Sequence, residues 1–182
     1  MTHGLCAAMA AEREGAHMDI LVRKARETDV PRLTEIYNAE VRASAATFDM
    51  RERTVQERLE WFRAHGTPRH PLLVAEAGGM VAGYACLSPY RPHDAYAATA
   101  ELSVYVDAAF RGRGVGARLL EALLSAARRC GELHVIVSVI AGQNAASVRL
   151  HERFGFQYAG TLPQVGYKLG TYHDIVHYYL LV

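Results

Sequence analysis

The sequence is short of cysteine, of long apolar runs and of net charge, and each shortage excludes a class of protein. Its three cysteines, Cys6, Cys86 and Cys130, are odd in number, far apart and in no CxxC spacing. That argues against a disulfide framework and a zinc site, and suits a reducing, cytoplasmic setting. No apolar run approaches the ~20 residues a membrane helix needs. Twenty Lys plus Arg stand against nineteen Asp plus Glu, a formal net charge of +1, so no overall field recruits nucleic acid or an anionic membrane. Internal repeats and low-complexity tracts are missing, and 182 residues suffice for one buried core but not for two ordinary domains. The first 17 residues offer only the small-residue stretch Ala7–Ala11, with no basic start and no strong apolar centre, so no secretory signal is expected. We expect a disordered extension over 1–17 and a single domain over 18–182, with Met18 as an alternative translation start.

What is present reads as alternating strands and helices. Ile20–Arg23 is strand-like, and Pro31 opens a helix carrying Leu33, Ile36, Tyr37 and Val41 at helical spacing. Thr54-Val55-Gln56-Glu57 is a capping box ahead of a second helix that stops at Gly66. Leu72–Glu76 and Val81–Leu87 form a hairpin across Gly78-Gly79, and Thr99–Val106 is a third strand of this group. Val115, Leu119, Leu120, Leu123, Leu124 and Ala127 trace one face of a helix closed by Gly131. Leu133–Ile140, apolar on both faces, reads as a central strand covered on two sides. Asn144 caps a short helix ending at Gly155, and the strands Phe156–Gly160 and Asp174–Leu181 flank a polar loop, Pro163–His173. The order β-α-α-β-β-β-α-β-α-β-β predicts an α+β (mixed α/β) domain around one largely antiparallel sheet.

The sharpest local signal is Phe110-Arg111-Gly112-Arg113-Gly114-Val115-Gly116-Ala117, between a strand and an amphipathic helix. Such a turn gathers unpaired backbone N–H groups and the positive end of a helix dipole at one point, which suits a phosphate. Glycines 112, 114 and 116 let the backbone approach a pyrophosphate, and Arg111 and Arg113 can neutralise it. Neither GxxxxGK[ST] nor the full dinucleotide fingerprint is present. A tight turn with solvated arginines explains the glycines alone equally well.

The wider context resembles the Gcn5-related N-acetyltransferases. Arg111–Gly116 is similar to their R/Q-x-x-G-x-G/A signature, and Leu150-His151-Glu152-Arg153-Phe154-Gly155-Phe156 to their L-Y-x-x-x-G-F ending, with histidine for tyrosine. Within that superfamily, Thr99–Val106, Ser147–Glu152 and Gly166–Asp174 most resemble phosphinothricin and methionine sulfoximine acetyltransferases, while the N-terminal third matches loosely through Thr47-Phe48 and Leu59-Glu60-Trp61. The resemblance implies a twisted, largely antiparallel sheet flanked by helices. It also implies acetyl-coenzyme A as co-substrate, held by Leu102, Val104, Val106, Arg111, Gly112, Arg113, Gly114, Val115, Gly116, Ala117, Asn144 and Ser147. The backbone around Leu102–Val106 would supply the oxyanion donor, and a homodimer is expected.

Acetyl transfer to an amine needs a base for the ammonium and a proton for the departing thiolate. Glu101 shares a strand face with Ser103 and Tyr105 and is the expected base or ammonium counter-ion; the bland reading is a half-exposed strand glutamate. His151, seven residues after Asn144 and so about 10 Å along the same helix face, can serve as acid or base; its bland reading is a structurally bonded histidine. Arg91 is the expected partner of a substrate carboxylate, with Phe48, Tyr90, Tyr96 and Lys168 shaping the pocket. No metal is expected, because His173 and His177 are accompanied by no HExxH or carboxylate cluster. The expected substrate is a small amino-acid-like amine. The alternatives are a protein N-terminal or lysine acetyltransferase and a non-catalytic acyl-coenzyme A sensor.

Overall fold

The computed structural model describes residues 19–182; the expectations for residues 1–17 and for Met18 lie outside the described residues. Seven strands form one sheet, β1 (Ile20–Lys24), β2 (Leu72–Ala77), β3 (Met80–Pro89), β4 (Thr99–Val106), β5 (Val135–Ala141), β6 (Gln157–Lys168) and β7 (Thr171–Leu181). Their spatial order is β1-β2-β3-β4-β5-β7-β6, and every neighbouring pair is antiparallel except β4–β5. Four helices cover it: α1 (Val30–Ala43), α2 (Val55–Arg63), α3 (Val115–Cys130) and α4 (Ala145–Arg153). None of the described helices is long and apolar enough to cross a membrane.

Two apolar layers hold the helices to the sheet. The stripe Val115, Leu119, Leu120, Leu123, Leu124 and Ala127 of α3 is fully buried against Ala100, Leu102, Ile136 and Ile140, at about 1.5–3 kcal/mol of burial per large side chain. On the opposite face, Leu33 and Ile36 of α1 pack on Val74, Tyr84 and Cys86. The capping box of α2 forms as read: Glu57 N–H donates to Thr54 Oγ1 at 3.2 Å, and Thr54 N–H to Glu57 Oε2 at 2.8 Å. Gly78 and Gly79, at φ +58° and +77°, close the β2–β3 hairpin with the left-handed pair that suits strand twist.

Two expectations are corrected. The segment read as a polar loop, Pro163–His173, is mostly strand: β6 runs to Lys168 and turns at Leu169-Gly170, with φ +52° and +78°, straight into β7. Its alternation is hidden because the register shifts between Tyr158 and Gly160 and again between Leu162 and Gly166, with Gln164 at φ +54°. β5 is also not covered on both sides. Ile136 and Ile140 are buried in the α3 layer, whereas Val139 is exposed, since α1 packs chiefly on β3 and β4.

Candidate active site

The single parallel pairing of the sheet creates the first feature of the site. β4 and β5 pair only through Thr99–Val135, Ala100–Ile136 and Glu101–Val137, after which β4 continues without a partner on that side. Asp107 N–H donates to Ala82 O on β3 at 2.9 Å. Alternation along an antiparallel ladder therefore turns the backbone groups of Val104 and Val106, and of Leu102 beside them, toward the open edge. The side chains of Leu102, Val104 and Val106 meanwhile belong to the α3 layer, so this edge is rigidly held.

The free edge leads to the glycine turn. Gly112 and Gly114 sit at φ +72° and +84° with nothing within 4 Å of where a Cβ would stand, and Gly114 caps α3 without any side-chain cap. Arg118 N–H donates back to Gly114 O at 3.1 Å, and the amides of Val115, Gly116 and Ala117 before it point off the helix end. A Cβ on Gly116 would stand 3.2 Å from Leu150 Cδ2 of α4, so this glycine serves helix packing. The turn thus fits a diphosphate through backbone donors and the helix dipole. Arg113 extends exposed beside it. Arg111 does not: its Nε donates to Val106 O at 3.1 Å and its Nη2 is paired with the buried Glu40 of α1. The expectation of two phosphate-facing arginines is corrected to one, because the carboxylate of α1 takes the other.

On the α1/α2 face lies a cavity of about 420 Å³ lined by Tyr37, Asp49, Arg53, Glu57, Arg58, Trp61, Tyr84, Cys86, Ser88, Ser103 and Tyr105. Glu101 adjoins it, two residues from Ser103 on the same strand face and directly across the ladder from Ser88. Burial pushes the Glu101 carboxyl above its ordinary range, and no basic group offsets it. Ser88 is tied to His65, whose Nδ1–H donates to Trp61 O at 2.7 Å, so that its Nε2 accepts the Ser88 hydroxyl at 2.9 Å. Burial also holds the His65 imidazole below its usual range. The lone pairs of Ser88 are thereby left as acceptors beside Glu101.

His151 does not join Glu101. It is 1% exposed, in the α3 layer on the opposite face of the sheet, with its ring edge-on to Phe156. Its Nδ1–H donates to Ser147 O at 2.7 Å and its Nε2 accepts Ser138 Oγ–H at 2.8 Å; burial lowers its pKa. In this arrangement His151 is a hydrogen-bonded core histidine that ties α4 to β5, apart from Glu101. Asn144 and Ser147 likewise shape the start of α4, with Asn144 Oδ1 accepting Ser147 N–H at 3.1 Å.

The expected substrate residues scatter. Tyr90 and Tyr96 stack edge to face at 5.6 Å in the β3–β4 loop, with Arg91 lying over the Tyr90 ring, and none of the three lines the cavity. Phe48 fills the space over Gly166, where a Cβ would meet its ring at 2.3 Å. Lys168 is buried, and its Nζ donates to Thr47 O at 2.6 Å; it ties the β6–β7 hairpin to the segment after α1 instead of presenting a charge to a ligand. The cavity residues Arg58 and Ser88, and His65 bonded to Ser88, carry no motif, and of the lining residues Trp61 belongs to the Leu59-Glu60-Trp61 likeness. Among the described residues, no group of three or more His, Cys, Asp or Glu is arranged to hold a metal ion.

A strand edge that opens beside an uncapped helix N-terminus, next to a cavity and a buried carboxylate, suits a transferase that holds one ligand by a diphosphate and meets a second, smaller one at the carboxylate. The sequence model of the acetyltransferase (GNAT) family matches residues 30–156, and the chain belongs to this family. It is 43% identical over 154 residues, 85% of this chain and 90% of the relative, to an L-methionine sulfoximine/L-methionine sulfone acetyltransferase of Salmonella typhimurium. It is 40% identical over 163 residues, 88% of this chain and 95% of the relative, to a phosphinothricin N-acetyltransferase of Streptomyces coelicolor. A solved acetyltransferase from Salmonella typhimurium, with its cofactor acetyl-coenzyme A, superposes with a TM-score of 0.86 at 41% identity, over 90% of this chain and 94% of that one. The chain is an acetyltransferase with acetyl-coenzyme A as its acyl donor.

Proposed function

We propose that the protein acetylates the α-amine of a small amino-acid-like substrate, of the methionine sulfoximine or phosphinothricin type, by direct transfer within a ternary complex. The observation that carries this reading is the position of Glu101, where β4 leaves β5 and beside an aromatic-lined cavity. Acetyl-coenzyme A supplies the activated acetyl thioester. The backbone of Leu102, Val104 and Val106, the turn amides from Gly112 to Ala117, and Arg113 hold it along the open edge of β4. Glu101 removes the ammonium proton, its carboxylate made more basic by burial. Ser88, its hydroxyl proton committed to His65, accepts from the amine and orients it. The neutral amine attacks the thioester carbonyl, the carbon–sulfur bond breaks as the amide forms, and the second proton that the nitrogen loses neutralises the departing thiolate. His151, Asn144 and Ser147 keep α4 in place next to the gap. Cavity size supports a small molecule over a peptide, which needs an open groove.

We also read the protein as a cytoplasmic homodimer. Tyr158, Leu162, Val165, Tyr167, Leu169 and Tyr172 are exposed together on the edge hairpin β6–β7, an apolar edge of the kind that a second copy covers. One preparation tests both points, through its mass in solution and through thiol release from acetyl-coenzyme A with methionine sulfoximine, phosphinothricin, ordinary amino acids and an N-terminal peptide. Release with the amino-acid analogues supports the reading. Release with the peptide alone moves the substrate to protein termini, and a monomeric mass removes the dimer.

A further inference from the structure

The cavity contains a buried cation without an anion. Arg58 of α2 is 6% exposed, and its guanidinium lies 3.6 Å from the centroid of the Trp61 ring and 4.7 Å from that of Tyr37. Among the described residues only Nη2 of its five N–H donors has a partner, the Tyr84 hydroxyl at 3.1 Å, while Nε is buried with none. The two carboxylates on the cavity wall are already neutralised. Asp49 accepts both Arg53 Nε at 2.7 Å and Arg53 Nη2 at 2.8 Å, along with the Tyr37 hydroxyl at 2.7 Å. Glu57 is held by Arg51 at 2.7 and 3.0 Å. A guanidinium taken out of water with unfilled donors is costly unless an anion completes it. Its planar fork matches a carboxylate, and stacking on aromatic rings fixes the fork's orientation.

We infer that Arg58 receives the α-carboxylate of the substrate, and so makes the enzyme specific for free amino acids over amines and amides. This rests on the acetylation of a small amino-acid-like amine proposed above. Arg58 lines the same cavity as Ser88 and Ser103, and Glu101 stands opposite Ser88 on the ladder and two residues from Ser103, so a carboxylate on Arg58 and an amine at Glu101 fit the two ends of one amino-acid head. Phosphinothricin, methionine sulfone and methionine sulfoximine differ in the charge of the group that ends their side chains and share the amino-acid head, which makes the α-carboxylate the anion common to them. The loop arginine, Arg91, lies exposed over Tyr90, where water screens it.

The test compares L-methionine sulfone with its α-carboxamide in the wild type, Arg58→Gln, Arg58→Lys and Arg91→Gln. The wild type is expected to prefer the acid by about 100-fold or more in kcat/KM. Arg58→Gln closes that preference to a few-fold, mainly through KM for the acid, and Arg58→Lys falls between. A readout independent of turnover is the rise in Tm on adding the acid without acetyl-coenzyme A, expected in the wild type and lost in Arg58→Gln. That shift tests Arg58 even if no amino acid is acetylated, in which case the proposed reaction fails and the anion site is judged alone. Equal losses on acid and amide in a folded Arg58→Gln protein overturn the inference in favour of a stacking role. Collapse of the preference in Arg91→Gln and not in Arg58→Gln also overturns it and gives the carboxylate to the loop.

Discussion

A histidine inside a family motif invites a catalytic role, and the environment of His151 favours a structural one. Both ring nitrogens are engaged and the ring is sealed beneath α4. Its folded pKa is depressed by burial, so the native state binds fewer protons than the unfolded chain, whose histidine titrates near pH 6.5. The stability it contributes is complete above about pH 6.5 and is lost as pH falls through the depressed folded value. Urea denaturation at pH 7.5 and 5.5 should therefore show the wild type weakening on acidification. His151→Asn should be about 2 kcal/mol less stable at pH 7.5 and should lose part of that pH slope, with His65 and His70, both lowered by burial, contributing to the remainder. A His151 variant of unchanged stability with kcat reduced about 100-fold would restore the acid-base role. At this scale the sequence was partly legible. Glu101 follows from strand alternation beside the glycine turn, whereas Arg58 and Tyr84 meet across 26 residues of sequence, and no local pattern announces such a meeting.

Elements built from local rules were legible almost to the residue. The α3 stripe and the Gly78-Gly79 hairpin are periodic or steric signals that tertiary packing leaves alone. The β6–β7 hairpin was missed because two register shifts break a period of two. The one-sided exposure of β5 was missed because it depends on where α1 stops. The glycine turn gives the sharpest test among the elements. Gly114 needs φ +84°, and an alanine there costs about 1–2 kcal/mol of left-handed strain, or else the turn relaxes and its amides swing out of line. Gly114→Ala should raise KM for acetyl-coenzyme A about tenfold while kcat at saturation changes little. Gly131→Ala, at φ +68° on the other end of α3, carries similar strain and should leave that KM alone. Equal effects from the two variants would mean that strain, and not the cradle, sets the KM.

The whole molecule works as two layers on one split sheet. α3 and α4 clamp the face that carries the open β4 edge and the glycine turn, while α1 and α2 wall off the cavity on the other, and the gap between β4 and β5 is the passage between them. Arg111 and Lys168 join distant parts across this arrangement, through Glu40 of α1 and through Thr47 O. This explains why two residues expected at the ligand serve the frame. The central claim is that the carboxylate at the mouth of that gap is the base for a free α-amine. The most direct measurement is the pH dependence of kcat/KM for methionine sulfone acetylation, in the wild type and in Glu101→Gln. The account predicts a wild-type profile that rises with an apparent pKa above the ~4.3 of an ordinary glutamate, and a Glu101→Gln enzyme slowed by about 100-fold or more with that limb missing. A Glu101→Gln enzyme that keeps both the rate and the rising limb would contradict it.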